Sequence, residues 1–213
     1  MRDPYENFSV IREKIRQAAG PHRFITVLGV TKGQSAERVQ AAVSAGVEIL
    51  GVNYVQEGEQ LQRQIKDCVQ WHFIGHIQSR KVKYLGQYSC VQSIDRISVA
   101  TALNEKLANN RKLPVLIEIN IGNEQQKSGV LPEAIEPFVE ALSRLPNLQL
   151  KGFMCMPPAL EPPILRASFF KQMRKIFEIF EKPHGLQILS MGTSDDYLIA
   201  VAEGATMVRL GTC

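Results

Sequence analysis

The chain has no long apolar run. No stretch of its 213 residues approaches the roughly 20 consecutive apolar residues that a membrane-spanning helix requires. The N-terminal stretch MRDPYENFSVIREKIRQAAG carries several charges and lacks the apolar block of a secretory signal peptide. Cysteine is scarce: Cys68, Cys90, Cys155 and Cys213 lie far apart without a CxxC pair. That pattern points to reduced thiols and away from a disulfide framework or a zinc site. No cluster of His, Cys, Asp and Glu has the spacing of metal ligands, and there is no internal repeat, linker or low-complexity tract. An excess of one charge is missing too, since 25 Lys and Arg stand against 21 Asp and Glu, a formal net charge of +4. The basic residues are scattered, and Arg80-Lys81-Val82-Lys83 reads as a solvated helix face, not a nucleic-acid site. These absences predict a cytoplasmic protein with no membrane or nucleic-acid partner.

What is present is a globular composition, 45% hydrophobic and 22% charged, long enough for one domain with a substantial core. Short apolar, β-branched runs recur at 24–30, 48–53, 71–75, 90–94, 114–120, 148–156, 186–192 and 206–211. An amphipathic helix is expected near 4–19, within an N-terminal segment 1–20. Helix-like segments follow at 36–46, 54–65, 96–110, 131–145, 164–180 and 195–204. Continuous apolar strands separated by helices mean a parallel sheet buried on both faces. Eight such units predict an α/β fold, one (β/α)₈ barrel spanning 1–213, in preference to an open doubly wound sheet. PPALEPP at 157–163 marks a stiff loop after the sixth strand. The chain stops at Gly211-Thr212-Cys213, directly after the eighth strand. Either the N-terminal helix covers the place of an eighth outer helix, or the chain is truncated.

In parallel barrels the active site lies at the C-terminal ends of the strands. The polar residues there are Lys32 after the first strand, Asn53 after the second, His76 after the third and Ser93 with Asp95 after the fourth. Asn120 closes the fifth, Met154 and Met156 the sixth, Thr193 and Ser194 the seventh, and Arg209, Gly211 and Thr212 the eighth. Lys32 follows VLGVT, so its stem leaves an apolar strand. Burial there would lower its pKa and ready the amine to attack a carbonyl. A solvated surface lysine fits the same position. The loops after strands seven and eight are the usual phosphate site of such barrels. Here they read Ser190-Met191-Gly192-Thr193-Ser194 and Arg209-Leu210-Gly211-Thr212, where glycine admits the backbone and hydroxyl and N–H groups donate to an anion. Ser194 can equally cap the following helix. Asp195 and Asp196 fit a first helical turn, facing away from any phosphate.

Taken together, VTKGQS, GVNYVQEG, WHFIGHIQSRK, QSIDR, INIGNEQQKSG, GFMCM, MGTSDD and TMVRLGT resemble the pyridoxal 5′-phosphate (PLP) homeostasis family, whose fold matches the N-terminal barrel of alanine racemase. The resemblance runs in order from about residue 25 to the end. It implies that Lys32 holds PLP as a Schiff base, that Ser194, Gly211 and Thr212 bind its phosphate, that Arg209 faces the pyridine nitrogen and that Asn53 lies near the cofactor. The fixed positive charge of Arg209 would discourage protonation of the ring nitrogen and make the cofactor a poorer electron sink. Three departures stand out: Val52 where the family commonly has glutamate, His76 where it has proline, and no segment beyond strand eight.

Other features have plainer readings. His72 alternates with Trp71 and Phe73 on a buried strand and reads as a hydrogen-bonded core residue. His76 and Lys127-Ser128-Gly129 border the expected site, and a solvated turn explains the latter equally well. The function implied is a PLP carrier acting in vitamin B6 and amino-acid homeostasis, a monomer whose partners are PLP-dependent apoenzymes or a regulatory protein. A PLP-dependent amino-acid racemase is the alternative. It needs a second proton-transfer group, for which only Tyr54 and Tyr197 offer themselves, each also fitting a helix start. A cofactor-free class I aldolase using Lys32, or a regulatory module in which PLP is incidental, complete the field.

Overall fold

Aliphatic and β-branched residues dominate the strand segments, and each inward or outward set repeats every second residue, as a pleated strand demands. In the computed structural model, which describes residues 4–107 and 111–211 (side chains from residue 7), they form β1 (Thr26–Val30), β2 (Ile49–Val52), β3 (Gln70–Phe73), β4 (Cys90–Ile94), β5 (Leu113–Ile119), β6 (Leu148–Cys155), β7 (Ile188–Ser190) and β8 (Met207–Leu210). Each pairs in parallel with its sequence neighbour, and β8 closes on β1 through Leu28 opposite Arg209 and Gly29 opposite Leu210. The eight-stranded α/β barrel expected from the sequence is thus the observed fold.

The outer layer comprises α1 (Pro4–Ala19), α2 (Ala36–Ser44), α3 (Val55–Gln64), α4 (Ile97–Lys106), α5 (Ile135–Ser143), α6 (Ala167–His184) and α7 (Tyr197–Ala202). Their apolar stripes face the barrel: α6 buries Phe170, Met173 and Phe177, and Phe177 meets Phe153 of β6 edge-on at 6.3 Å. Fully burying a side chain of this size contributes about 1.5–3 kcal/mol. α1 packs against both α7 and α2 and buries Ile11 and Ile15. It therefore stands between α7 and α2 on the outside of the barrel.

One element was missed. Between β3 and β4 the chain winds as a 3₁₀ segment, Ser79–Gln87, that buries Val82 and Leu85 beneath the basic cluster. The apolar pair is too short and too interrupted by Lys to register as an amphipathic helix. Two expected helices also open with 3₁₀ turns, Pro132–Ala134 and Pro163–Arg166, each with proline in the first turn.

The barrel interior is divided. Cys90, Leu116 and Met154 form a small apolar plug. Beside it run polar groups: His72 of β3, Gln92 of β4, Ser190 of β7 and Arg209 of β8, all buried. Among the described residues no helix is long and apolar enough to cross a membrane.

Candidate functional site

The Lys32 turn is held from both sides. Thr31 is buried, its backbone N–H donates to the Gly51 carbonyl at 3.0 Å, and its hydroxyl donates to the Glu57 carboxylate at 3.1 Å. The Gln34 N–H then donates to the Thr31 carbonyl at 2.9 Å. Gly33, at φ +71°, occupies the left-handed third position that a type II turn requires. Lys32 is consequently the second residue of the turn, and it is exposed, with Nζ 6.0 Å from the centre of the Tyr54 ring. Of the two readings of Lys32, a desolvated amine and a solvated surface lysine, the structure has the second, because the turn lifts Lys32 clear of the apolar strand end. What distinguishes this lysine is its company.

That company is the end of β8 and the loop after β7. Gln34 Nε2 donates to the Gly211 carbonyl at 3.1 Å, and the Gly211 N–H donates to Ser194 Oγ at 3.2 Å. The Lys32 turn, Gly211 and Ser194 are therefore one connected rim. Thr212 lies outside the described residues. The N-cap position of α7 is Asp196, not Ser194, but its side chain makes no capping bond to the helix. Its Oδ1 instead accepts from the Thr193 N–H at 2.6 Å and from the Thr193 hydroxyl at 3.2 Å. Asp196 is buried and its Oδ2 accepts from Arg166 Nη1 at 2.8 Å, while Asp195 is exposed. The two acids thus diverge in role: only Asp196 is built into the structure. α7 spans six residues, so its dipole adds little to the polar groups of this rim.

Beneath the rim lies Arg209. Its Nη1 donates to both the carbonyl and the hydroxyl of Ser190, each at 2.8 Å, and its Nη2 donates to the Cys155 carbonyl at 2.9 Å. Burial pulls its pKa down, opposed by the neighbouring Cys155, Glu118 and Asp196. Glu118, on β5, shares inward parity with Leu116 and is pushed up to about 7, chiefly by burial and then by the Asp95 charge, against the pull of Arg209 and Arg96. Asp95 is likewise raised by burial, offset by Arg96 and His76.

The far side of the mouth is a set of loop-to-loop ties. His76 Nδ1 meets Ser128 Oγ at 2.9 Å and lies 3.8 Å from Asp95. Lys127 Nζ donates to the Pro157 carbonyl at 3.0 Å. Asn120 turns into its own loop, donating to the Glu124 carbonyl at 2.9 Å and accepting from the Glu124 N–H at 3.1 Å, so it braces the mouth without facing it. Gly75 admits the end of β2: a Cβ there would stand 2.0 Å from the Asn53 carbonyl oxygen. The Asn53 side chain is left with a buried Oδ1 that has no hydrogen-bond partner. Cavities open elsewhere as well, one of about 500 Å³ between α1, α2 and β1, and one of about 330 Å³ at the N-terminal end of the barrel beside His72. Neither gathers the convergent polar groups of the mouth. Among the described residues no three His, Cys, Asp or Glu are grouped to hold a metal.

The alanine racemase N-terminal domain family matches residues 5–213. The pyridoxal phosphate homeostasis protein of Aquifex aeolicus is 36% identical, over 97% of this chain and 95% of its own. That of Pseudomonas aeruginosa is 37% identical, over 97% of this chain and 92% of its own. The chain belongs to the pyridoxal phosphate homeostasis family. Among solved structures, PipY of Synechococcus elongatus with PLP bound superposes with a TM-score of 0.85 at 25% identity, covering 98% of each chain. Of the residues singled out from the sequence, the structure ties the turn that carries Lys32 to Gly211 and Ser194, beyond the ends of β1, β8 and β7, with Arg209 on β8 and Asn53 directly after β2. Sequence reasoning missed Glu118, Gln92 and Arg166, and placed Ser190 in the seventh strand without giving it an inward role. The period of two was the available signal: Glu118 and Gln92 are polar residues at inward positions of otherwise apolar strands.

Proposed function

We propose that this protein is a PLP carrier, holding the cofactor reversibly through Lys32 and serving PLP and amino-acid homeostasis. The observation that carries this reading is the continuous rim from the Lys32 turn through Gln34 and Gly211 to Ser194, directly above the Arg209 guanidinium. PLP offers an aldehyde, a phosphate and a pyridine nitrogen, and the rim offers an amine, a hydroxyl with a backbone N–H, and a cation. The unpaired Oδ1 of Asn53 is a further fit, since a buried acceptor without a donor is unfavourable until a ligand supplies one.

When bound, PLP supplies an electrophilic carbonyl and a conjugated ring that can stabilise negative charge. Lys32 would hold PLP through its amine, in a condensation with the aldehyde that releases water and that water can reverse. Exposure of Lys32 suits exchange with solvent and with a recipient protein. Ser194 and Gly211 would donate to the phosphate. Arg209, a fixed cation, would keep a proton off the ring nitrogen and disfavour carbanion chemistry. Racemisation would need a second proton-transfer group facing Lys32 across the cofactor. Tyr54 instead stands beside Lys32, and Tyr197 is buried in the first turn of α7. We further infer a monomer acting in the cytoplasm, whose recipients are PLP-dependent apoenzymes or a regulatory protein.

The test is the visible spectrum of wild type and Lys32→Ala with added PLP, followed by borohydride reduction and peptide mass spectrometry. A coloured wild type labelled at Lys32, with colourless Lys32→Ala, is expected. Colourless wild type with unlabelled Lys32 overturns the reading, and racemisation of alanine at enzymatic rates overturns the carrier role.

A further inference from the structure

Four buried side chains form a hydrogen-bonded chain across the barrel interior. Arg209 Nη1 donates to Ser190 Oγ at 2.8 Å, Ser190 Oγ donates to Gln92 Oε1 at 2.8 Å, and Gln92 Nε2 meets His72 Nδ1 at 2.9 Å. The residues come from four strands, β8, β7, β4 and β3, and span the barrel from beneath the mouth to the cavity at its N-terminal end. Every link has one self-consistent direction. An arginine can only donate, so Ser190 Oγ must accept from it, which leaves the hydroxyl proton for Gln92. The Gln92 amide must then present its oxygen to Ser190 and its nitrogen to His72. That orientation holds only while His72 Nδ1 is an unprotonated acceptor. Burial keeps the ring neutral, drawing its pKa down to about 4.

We propose that Gln92 is a positioning residue for Arg209, acting through Ser190, with neutral His72 fixing which way the Gln92 amide points. A desolvated guanidinium has no solvent to hold its plane, so its orientation is set by fixed acceptors. Two of these, the Ser190 and Cys155 carbonyls, are backbone and indifferent to rotation of the amide. The Ser190 hydroxyl is the adjustable third, and Gln92 decides whether its lone pairs face Arg209. The interior thereby sets how the cation meets the ring above it, which rests on the reading that Arg209 faces bound PLP.

The first measurement needs no cofactor: proton exchange of the Arg209 guanidinium, followed by NMR in the unloaded protein. Gln92→Leu matches the shape without the amide and is expected to speed that exchange about tenfold, the loss of one charged hydrogen bond. Gln92→Glu keeps an acceptor for Ser190 and is expected to stay near wild type. In the loaded protein, Gln92→Leu is expected to shift the visible absorption maximum and weaken PLP binding by up to about tenfold, with Lys32 still labelled at saturating PLP. Where Gln92→Leu does not fold, His72→Phe, which frees the amide to rotate, carries the same expectations. Wild-type exchange, spectrum and affinity in Gln92→Leu, or equal changes in Gln92→Leu and Gln92→Glu, overturn the proposal. An unlabelled wild-type Lys32 overturns the carrier reading instead and leaves the exchange experiment standing.

Discussion

The interior beneath the mouth and the rim around it belong to one barrel, yet they treat polar groups in opposite ways. Below, Arg209, Ser190, Gln92 and His72 satisfy one another within the barrel. Above, Lys32 stands exposed, Asn53 keeps a buried oxygen unpaired, and Asp95 and Glu118 are held above their ordinary pKa values. A buried polar group that meets its partner stabilises one arrangement, whereas one left without it is a cost the fold retains where a ligand can answer it. The contrast separates groups that build the site from groups that wait for its occupant.

Cutting into the satisfied set should produce the largest effect. Asp196 joins the turn after β7 to Arg166, which also donates to the Leu160 carbonyl and pairs with Glu161. Asp196→Ala leaves a buried guanidinium with only the exposed Glu161 carboxylate and should destabilise the protein by about 3 kcal/mol, read by denaturant unfolding. A loss below about 1 kcal/mol would place this pair among weak surface contacts and blur the contrast.

The two regions also oppose each other in pH. His72 falls from its usual 6.5 to about 4, so its contribution is present above 6.5 and is lost as pH drops towards 4. Glu118 rises from 4.5 to about 7, so stability associated with its protonated form is present below 4.5 and is lost as pH climbs towards 7. In wild type these slopes largely cancel. Glu118→Gln should leave stability rising with pH across that window, and His72→Phe should leave it falling, each by roughly 1–3 kcal/mol. Urea unfolding between pH 4 and 8 measures both, and parallel slopes in the two variants would show that the buried groups do not titrate as their surroundings imply.

The strands were legible in the sequence because aliphatic runs of four to eight residues have few other uses in a chain of alternating patterns. All eight lie where they were expected, to within two residues at each end. The rim was legible residue by residue only through the family resemblance, since a lysine after a strand or a glycine near a strand end is commonplace. Whether Lys32 is desolvated or exposed was left open by the sequence. It depends on the Thr31–Gln34 turn carrying the side chain past the strand, a three-dimensional fact that the apolar run before it does not reveal. Nor was the role of Asp196 in holding the turn after β7 legible, because its partner Arg166 lies thirty residues away. Pairwise partners at that separation leave no local pattern to read.

The smallest effect, and the one that sharpens the contrast most, concerns Asn53. If its unpaired Oδ1 belongs to the waiting set, removing it should do little harm to the empty protein, since the packing lost is offset by the orphaned acceptor removed. Asn53→Ala should therefore change the stability of the unloaded protein by less than about 1 kcal/mol in either direction. The same variant should lose about three- to tenfold in PLP affinity, the loss of one ordinary hydrogen bond. Thermal unfolding with and without PLP measures both at once, because a ligand that binds only the folded state raises the midpoint by an amount that grows with the logarithm of its affinity. An Asn53→Ala protein that is clearly destabilised when empty and binds PLP like wild type would move Asn53 to the other side of the comparison, a packing residue whose oxygen the fold tolerates.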